Sequence, residues 1–246
     1  MVKGVAIVTG GTGGIGSAIC QRLSADYQVV ACYFKKGNHE EAKQWQDEQK
    51  KLGFDIDIVY GDIAQFADCE KLTALVMERY GRIDVLVNNA GVTQDCSLRK
   101  MTSQQWQHVL DANLTSVFNM TRNVITHMLD QGFGRIVSIS SINGRKGQFG
   151  QCNYASTKAA LFGFTKSLAL EVANKGVTVN TISPGYIETS MLTSLKTEVL
   201  DSIIANIPVG RLGYPKEIAD AVAFLIAPSS GFITGANLDI NGGQYM

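Results

Sequence analysis

VAIVTGGTGGIGSAICQRLSA, residues 5–25, decides the fold. Val5 to Thr9 is an apolar, β-type run, Gly10-Gly11-Thr12-Gly13-Gly14-Ile15-Gly16 is a glycine turn, and Ser17 to Ala25 repeats apolar residues at helical spacing. A strand that feeds a helix through glycines can cradle a pyrophosphate. Main-chain N–H groups at the helix start face the anion, and residues without a Cβ let it come close. Gly11, Gly13 and Gly16 satisfy G-x-G-x-x-G, and the register Gly10, Gly14, Gly16 fits equally well. At the first strand–helix junction of a chain, such a turn predicts a dinucleotide site at the edge of an α/β sheet.

Working outward, strands and helices keep alternating. Further strands are predicted over 28–33, 55–60, 83–87, 135–140, 177–182 and 237–240. Helices are predicted over 40–52, 66–80 and 216–226, with a long helical region over 102–128 broken near Asp111-Ala112-Asn113. Another runs from Tyr154 through Ala159, Phe162, Leu168 and Val172, and its apolar surface is broad enough for a subunit contact as well as a core. Segment 187–208, with Met191, Leu192 and Leu195, reads as a mobile flap. The expectation is one α/β domain over 1–246: a doubly wound parallel sheet of about seven strands with helices on both faces. Its cofactor half would end near 140 and its catalytic half would begin at 141.

Several strand ends carry residues suited to a cofactor. The strand over 28–33 ends without the acidic residue that would take hydrogen bonds from an NAD ribose. Lys35 and Lys36 follow, and a lysine attracts a 2′-phosphate, so NADP(H) is expected unless both are merely solvated charges. Asp62 follows the third strand, where it can reach an adenine edge. Asn88-Asn89-Ala90-Gly91 closes the fourth with small and amide residues, and Ser183-Pro184-Gly185-Tyr186 closes the sixth. Asn113, inside a helix, reads as a kink residue that could also hold a water.

The chemistry is expected in SINGRKGQFGQCNYASTK, residues 141–158. Tyr154 and Lys158 are four apart, on one helix face. Ser141 ends a buried strand, and Gly144, Gly147 and Gly150 fill the loop between. A phenol titrates near 10, and an ammonium beside it would pull that value down and make proton exchange easier. A serine hydroxyl can hold the oxygen on which charge develops. Tyr-x-x-x-Lys by itself occurs by chance on many surface helices; the serine and the glycine turn give it weight.

Composition excludes other classes. Twenty-two basic and 22 acidic residues cancel, which argues against nucleic acid or a membrane surface as the main partner. No apolar run approaches the length of a membrane span, and the opening residues run straight into a strand, so neither an anchor nor a signal peptide is expected. The five cysteines are scattered without C-x-x-C and read as reduced thiols of a cytoplasmic protein. His39, His108 and His127 have no ligand spacing, so no metal is expected.

Taken together, TGGTGGIG (9–16), Asp62, NNAG (88–91), Asn113, Ser141, Tyr154-Ala-Ser-Thr-Lys158 and Pro184-Gly185 resemble the short-chain dehydrogenase/reductase family over essentially the whole chain. The resemblance implies a Rossmann-type fold, hydride transfer with NAD(P) and commonly a homotetramer. It places Gly10, Thr12, Gly14, Ile15, Gly16, Lys35, Asp62, Asn89, Ala90, Gly91, Pro184, Gly185, Ile187 and Thr189 around the cofactor, with Ile187 and Thr189 near the nicotinamide carboxamide. It makes Ser141, Tyr154 and Lys158 catalytic, with Lys158 also bonding the nicotinamide ribose and Asn113 holding a water that links Lys158 to solvent. NGRKGQFGQCNYASTKAAL, FNMTRNVITHM and SPGYIETSM look like members that reduce the 3-keto group of a short acyl-CoA. Gln148, Phe149, Gln151 and Tyr186 then become candidate acyl or pantetheine contacts, and Arg99, Lys100, Arg145 and Lys146 candidate partners for CoA phosphates. The alternatives are the same reaction on an acyl-carrier protein and a catalytically silent nucleotide sensor; the latter has no use for a complete Ser–Tyr–Lys set.

Overall fold

The computed structural model describes residues 3–34, 37–189, 192 and 196–246. Lys35, Lys36, Met191 and Leu195, which the sequence reading invoked, lie outside the described residues. Seven strands form one parallel sheet in the order β3-β2-β1-β4-β5-β6-β7. They are β1 (Gly4–Thr9), β2 (Tyr27–Tyr33), β3 (Ile56–Tyr60), β4 (Val85–Asn88), β5 (Gly134–Ile139), β6 (Val177–Pro184) and β7 (Asn237–Ile240). The intervening helices are α1 (Gly14–Leu23), α2 (His39–Lys51), α3 (Phe66–Tyr80), α4 (Ser103–Leu110), α5 (Ser116–Gln131), α6 (Ile142–Lys146), α7 (Cys152–Val172), α8 (Thr197–Ala205) and α9 (Pro215–Ile226).

The central strands are apolar on both faces because both are covered. Ala6 and Val8 of β1 join a core completed by Ile19 and Leu23 of α1 and Ile218 and Val222 of α9. Val5 and Ile7 enter the opposite core with Leu72 of α3, Met120 and Val124 of α5, and Val172 of α7. Continuous apolar runs are what a parallel sheet buried on both sides requires. β1 pairs with β2 on one side and β4 on the other. The strand order therefore reverses beside β1, and a crevice opens at the carboxyl ends of β1 and β4, where such sheets bind ligands.

Departures from the sequence reading have local causes. β4 starts at Val85 rather than 83 because the Gln131 amide occupies Ile83, accepting its N–H at 3.1 Å and donating to its carbonyl at 2.9 Å. β6 extends to Pro184, which lies opposite Ile240. The expected break near Asn113 is a π-helical turn, Asp111–Thr115, between α4 and α5. The glycine loop contains α6, because Ser141 Oγ accepts the Asn143 N–H at 3.1 Å and starts a helix there. Part of the expected flap is α8, whose Val199, Leu200, Ile203 and Ile204 recur at helical spacing.

Glu217 ties the segment after α8 to α9. Its carboxylate accepts the Tyr214 N–H at 2.7 Å and both ends of the Arg211 guanidinium at 2.9 and 2.7 Å. Arg211 and the backbone donor hold this carboxyl down at about 2. A depressed carboxyl contributes stability above its unfolded value and loses it as pH falls through the folded one. The pair is partly exposed, so Glu217→Gln is expected to cost at most about 1 kcal/mol. The difference in thermal midpoint between the two proteins should shrink as pH falls from neutrality toward 2.

Candidate active site

The glycine turn is held by two strand ends. Thr9 Oγ1 accepts the N–H groups of Asn89 and Ala90 at 3.0 and 3.1 Å, and Asn89 Nδ2 donates to the Thr9 and Gly10 carbonyls at 3.0 and 3.2 Å. Steric demand falls on glycines of both registers: a Cβ on Gly11 would meet Ala31 Cβ at 2.6 Å. Gly10 has φ +61°, and a Cβ on Gly16 would run into the Gly10 carbonyl. A Cβ on Gly13 would meet nothing nearer than 3.4 Å. A Cβ on Gly14 would touch Thr189 Cγ2 at 3.0 Å, so Thr189 stands over the start of α1. Thr12 and Ile15 are half-buried along the same turn. Such a turn, open at Gly13 and closed at Gly10 and Gly16, fits a dinucleotide whose pyrophosphate lies against main-chain N–H groups. Gly16→Ala is expected to lower thermal stability by about 1–3 kcal/mol and to weaken cofactor binding at least about tenfold. Gly13→Ala should change neither by much; titration with NADPH and thermal unfolding check both.

Other predicted cofactor residues stand at or after the carboxyl ends of β3 and β6. Asp62, after β3, accepts the Ala64 N–H at 3.1 Å. Pro184 ends β6, and Gly185 is anchored by its N–H on the Ile240 carbonyl at 2.8 Å. Ile187 is buried and bridges to Gly213.

Ser141, Tyr154 and Lys158 come together where β5 ends and α7 begins. Ser140 Oγ donates to the Lys158 carbonyl at 2.8 Å, and a Cβ on Gly144 would lie 2.8 Å from that carbonyl's carbon, so α6 and α7 are locked at this level. Lys158 is 4% exposed; its Nζ donates to the Ile139 carbonyl at 2.7 Å and lies 5.6 Å from the Tyr154 ring centre. A Cβ on Gly91 would sit 3.3 Å from Asn113 Oδ1 and 3.4 Å from Lys158 Nζ, so Gly91, Asn113 and Lys158 converge.

Two expectations about this centre change. The phenol is not drawn down overall: burial raises Tyr154 above its ordinary value, a hydrogen bond with Ser141 pulls it back, and the Asp95 charge raises it. Burial also pushes Lys158 down to about 8, because the ammonium has a carbonyl partner in place of a carboxylate. The Asn113 side chain is spent on protein, accepting the Val92 N–H at 2.8 Å and donating to the Val92 carbonyl at 2.9 Å and Thr157 Oγ1 at 3.4 Å. A water there would need the main chain of the π turn.

The substrate candidates divide. Gln148 and Phe149 stand in solvent at the mouth, Phe149 90% exposed, and Tyr186 is half-buried. Gln151 is tied at both ends of its amide, to Asn143 and Asp95. All four basic candidates are exposed, but Arg145 is paired with Asp239 at 3.5 Å and lies over the Phe162 and Tyr245 rings. A cavity of about 100 Å³ lies behind Tyr186 and Ile187, lined also by Ile207, Val209 and Arg211; Ser141, Tyr154 and Lys158 do not line it. Asp95 and Asn143 were not singled out from sequence; Thr9 enters the sequence reading only as the first residue of the glycine motif, without a role of its own. Among the described residues, no group of three His, Cys, Asp or Glu is placed to hold a metal.

Comparison with known proteins agrees with this geometry. The profile of the short chain dehydrogenase family matches residues 4–200. The chain is 52% identical to an acetoacetyl-CoA reductase of Cupriavidus necator over the full length of both proteins. It is 48% identical to the acetoacetyl-CoA reductase of Allochromatium vinosum over 98% of each. A 3-oxoacyl-acyl-carrier-protein reductase of Vibrio cholerae is 40% identical over 98% of this chain and 97% of that one. With its seven-stranded parallel sheet, nicotinamide-cofactor crevice and converging Ser141, Tyr154 and Lys158, the chain belongs to the short-chain dehydrogenase/reductase family of oxidoreductases acting on CH–OH groups.

Proposed function

We propose that this enzyme reduces acetoacetyl-CoA to (R)-3-hydroxybutyryl-CoA with NADPH, the step that supplies monomer for polyhydroxyalkanoate synthesis. The observation that carries the substrate is the order of identities: 52% and 48% to two acetoacetyl-CoA reductases, against 40% to an acyl-carrier-protein reductase. NADPH rests on the strand-end chemistry of β2, which lacks an acidic residue and leads into Lys35 and Lys36.

When bound, the nicotinamide supplies a hydride to C3 of the oxoacyl group. Tyr154 donates the proton to the oxygen at C3, and its raised titration keeps the phenol protonated at neutral pH, the form an acid needs. Ser141 holds that same oxygen. Lys158 is mostly charged below about 8 and favours the phenolate left after donation. It also bonds the nicotinamide ribose, and the proton is restored through a water at the main chain around Asn113. Gln148, Phe149 and Tyr186 flank the acyl and pantetheine arm, and exposed Arg99, Lys100 and Lys146 attract the CoA phosphates.

The enzyme is a cytoplasmic homotetramer in this reading. α7 leaves Ala159, Gly163 and Leu170 exposed on one face, Leu170 at 87%, as suits a helix that packs on a second subunit. Among the described residues no helix is long and apolar enough to cross a membrane. The test is turnover of one four-carbon 3-oxoacyl group on CoA and on acyl-carrier protein, each with NADPH and NADH. The CoA thioester with NADPH should give the highest kcat/KM. Preference for the carrier protein would move the assignment to fatty acid synthesis.

A further inference from the structure

A chain of hydrogen bonds, two between side chains and a last one from a main-chain N–H, runs from the mouth of the site to the serine. Asp95 Oδ2 accepts from Gln151 Nε2 at 2.8 Å, Gln151 Oε1 accepts from Asn143 Nδ2 at 2.9 Å, and the Asn143 main-chain N–H donates to Ser141 Oγ at 3.1 Å. The four residues come from three separate segments: the loop after β4, the start of α7, and the turn from β5 into α6. Neighbouring bonds brace the first two, since Asn153 Nδ2 donates to the Gln94 carbonyl at 3.1 Å and the Cys96 N–H to the Gly150 carbonyl at 2.8 Å.

The chain has only one workable polarity. A carboxylate accepts and cannot donate, so Gln151 must turn its NH₂ to Asp95 and its oxygen to Asn143. Asn143 must then turn its NH₂ to Gln151. This leaves Asn143 Oδ1 buried with no hydrogen-bond partner, in a residue only 8% exposed. A buried acceptor left unpaired is unfavourable, and the arrangement persists because reversing it would set the Gln151 oxygen against the Asp95 carboxylate. At the inner end, Ser141 Oγ accepts from Asn143 and also shares a hydrogen bond with Tyr154, so its proton lies between the phenol and the place of a substrate oxygen.

We propose that Asn143, Gln151 and Asp95 act as one positioning unit for the turn that carries Ser141, with Asp95 fixing the direction of the two side-chain amide bonds in it. The unit holds the serine so that its hydroxyl presents a donor to the substrate oxygen. Gln151 thereby becomes an internal link, in place of the acyl contact expected from sequence. This rests on the ketone-reduction reading above, in which Ser141 holds the oxygen at C3.

Three single variants and one double decide it: Asp95→Ala, Asp95→Asn, Asn143→Ala and Asp95→Ala/Asn143→Ala, each measured for kcat, KM, NADPH affinity and thermal midpoint. Asp95 is exposed, so its variants should fold whatever Asn143→Ala does. Each alanine variant should lose roughly tenfold or more in kcat, with KM and NADPH affinity within about twofold. The double should fall no further than the worse single, because links of one unit do not add. Asp95→Asn still offers Gln151 an acceptor and should stay within about threefold of wild-type kcat. Losses that multiply, losses confined to KM, or no loss in Asp95→Ala would overturn the proposal. Wild-type turnover of acetoacetyl-CoA is the control. Should it be absent, the substrate reading fails by itself, and the same series is scored on ethyl acetoacetate, whose ketone needs no carrier.

Discussion

Tyr154→Phe is expected to lower kcat for ketone reduction by at least about a thousandfold, because it removes the phenol that gives its proton to the forming alkoxide. The ring stays, so the packing at the start of α7 is kept. The hydrogen bond with Ser141 is lost, but Ser141 Oγ retains the Asn143 N–H. Affinity for NADPH, read by fluorescence titration, should therefore remain within about threefold, and the thermal midpoint should barely move. An activity loss accompanied by loss of cofactor binding would point to a structural role. Retention of most activity would show that another group supplies the proton.

Lys158→Met is expected to inactivate and stabilise at once. The ammonium is buried, has no carboxylate partner among the described residues, and is held down at about 8. Because its folded value lies below its unfolded one, the unfolded chain binds more protons between about 8 and 10.5. Stability therefore rises with pH through that window, and the cost of burying the charge is present in full below it. That cost is at most roughly 3 kcal/mol. Methionine removes it but leaves the Ile139 carbonyl without its donor, which costs about 1 kcal/mol. The net expectation at neutral pH is a gain of about 1–2 kcal/mol, seen as a thermal midpoint a few degrees higher. The gain should vanish above the unfolded lysine value. Activity should fall by about a hundredfold or more, since the phenolate loses its positive neighbour. A variant that melts lower than wild type at neutral pH would show that the ammonium is a net structural asset. In either case, wild-type reduction should decline as pH passes about 8, where Lys158 loses its charge.

Both residues were legible before any coordinates, and so was the fold, for identifiable reasons. Parallel strands buried on both faces leave apolar runs that helical segments interrupt, and the turn at Gly10–Gly16 marks where the first of them delivers its ligand site. The spacing of Tyr154 and Lys158 is a local property of one helix, so sequence was sufficient. What sequence missed depends on through-space competition. Whether Lys158 lowers Tyr154 or burial raises it is settled by how deeply both sit. Asn113 suggested a water, but its amide had already been claimed by Val92, 21 residues earlier in the chain. Arg145 suggested a phosphate ligand, yet it packs on Asp239 and Tyr245 at the far end of the chain. Helix α8 was different: its apolar spacing was visible, and the absence of a capping side chain at Lys196 hid its start.

The account stands most directly on where the hydride and the proton go. NADPH carrying deuterium at the reactive C4 of its nicotinamide, incubated with acetoacetyl-CoA and the wild-type enzyme, should deliver the label to C3 of the hydroxyacyl product. Tyr154→Phe should bind the same cofactor and transfer essentially none. Label absent from C3 in the wild-type product, or transferred at an undiminished rate by Tyr154→Phe, would contradict it.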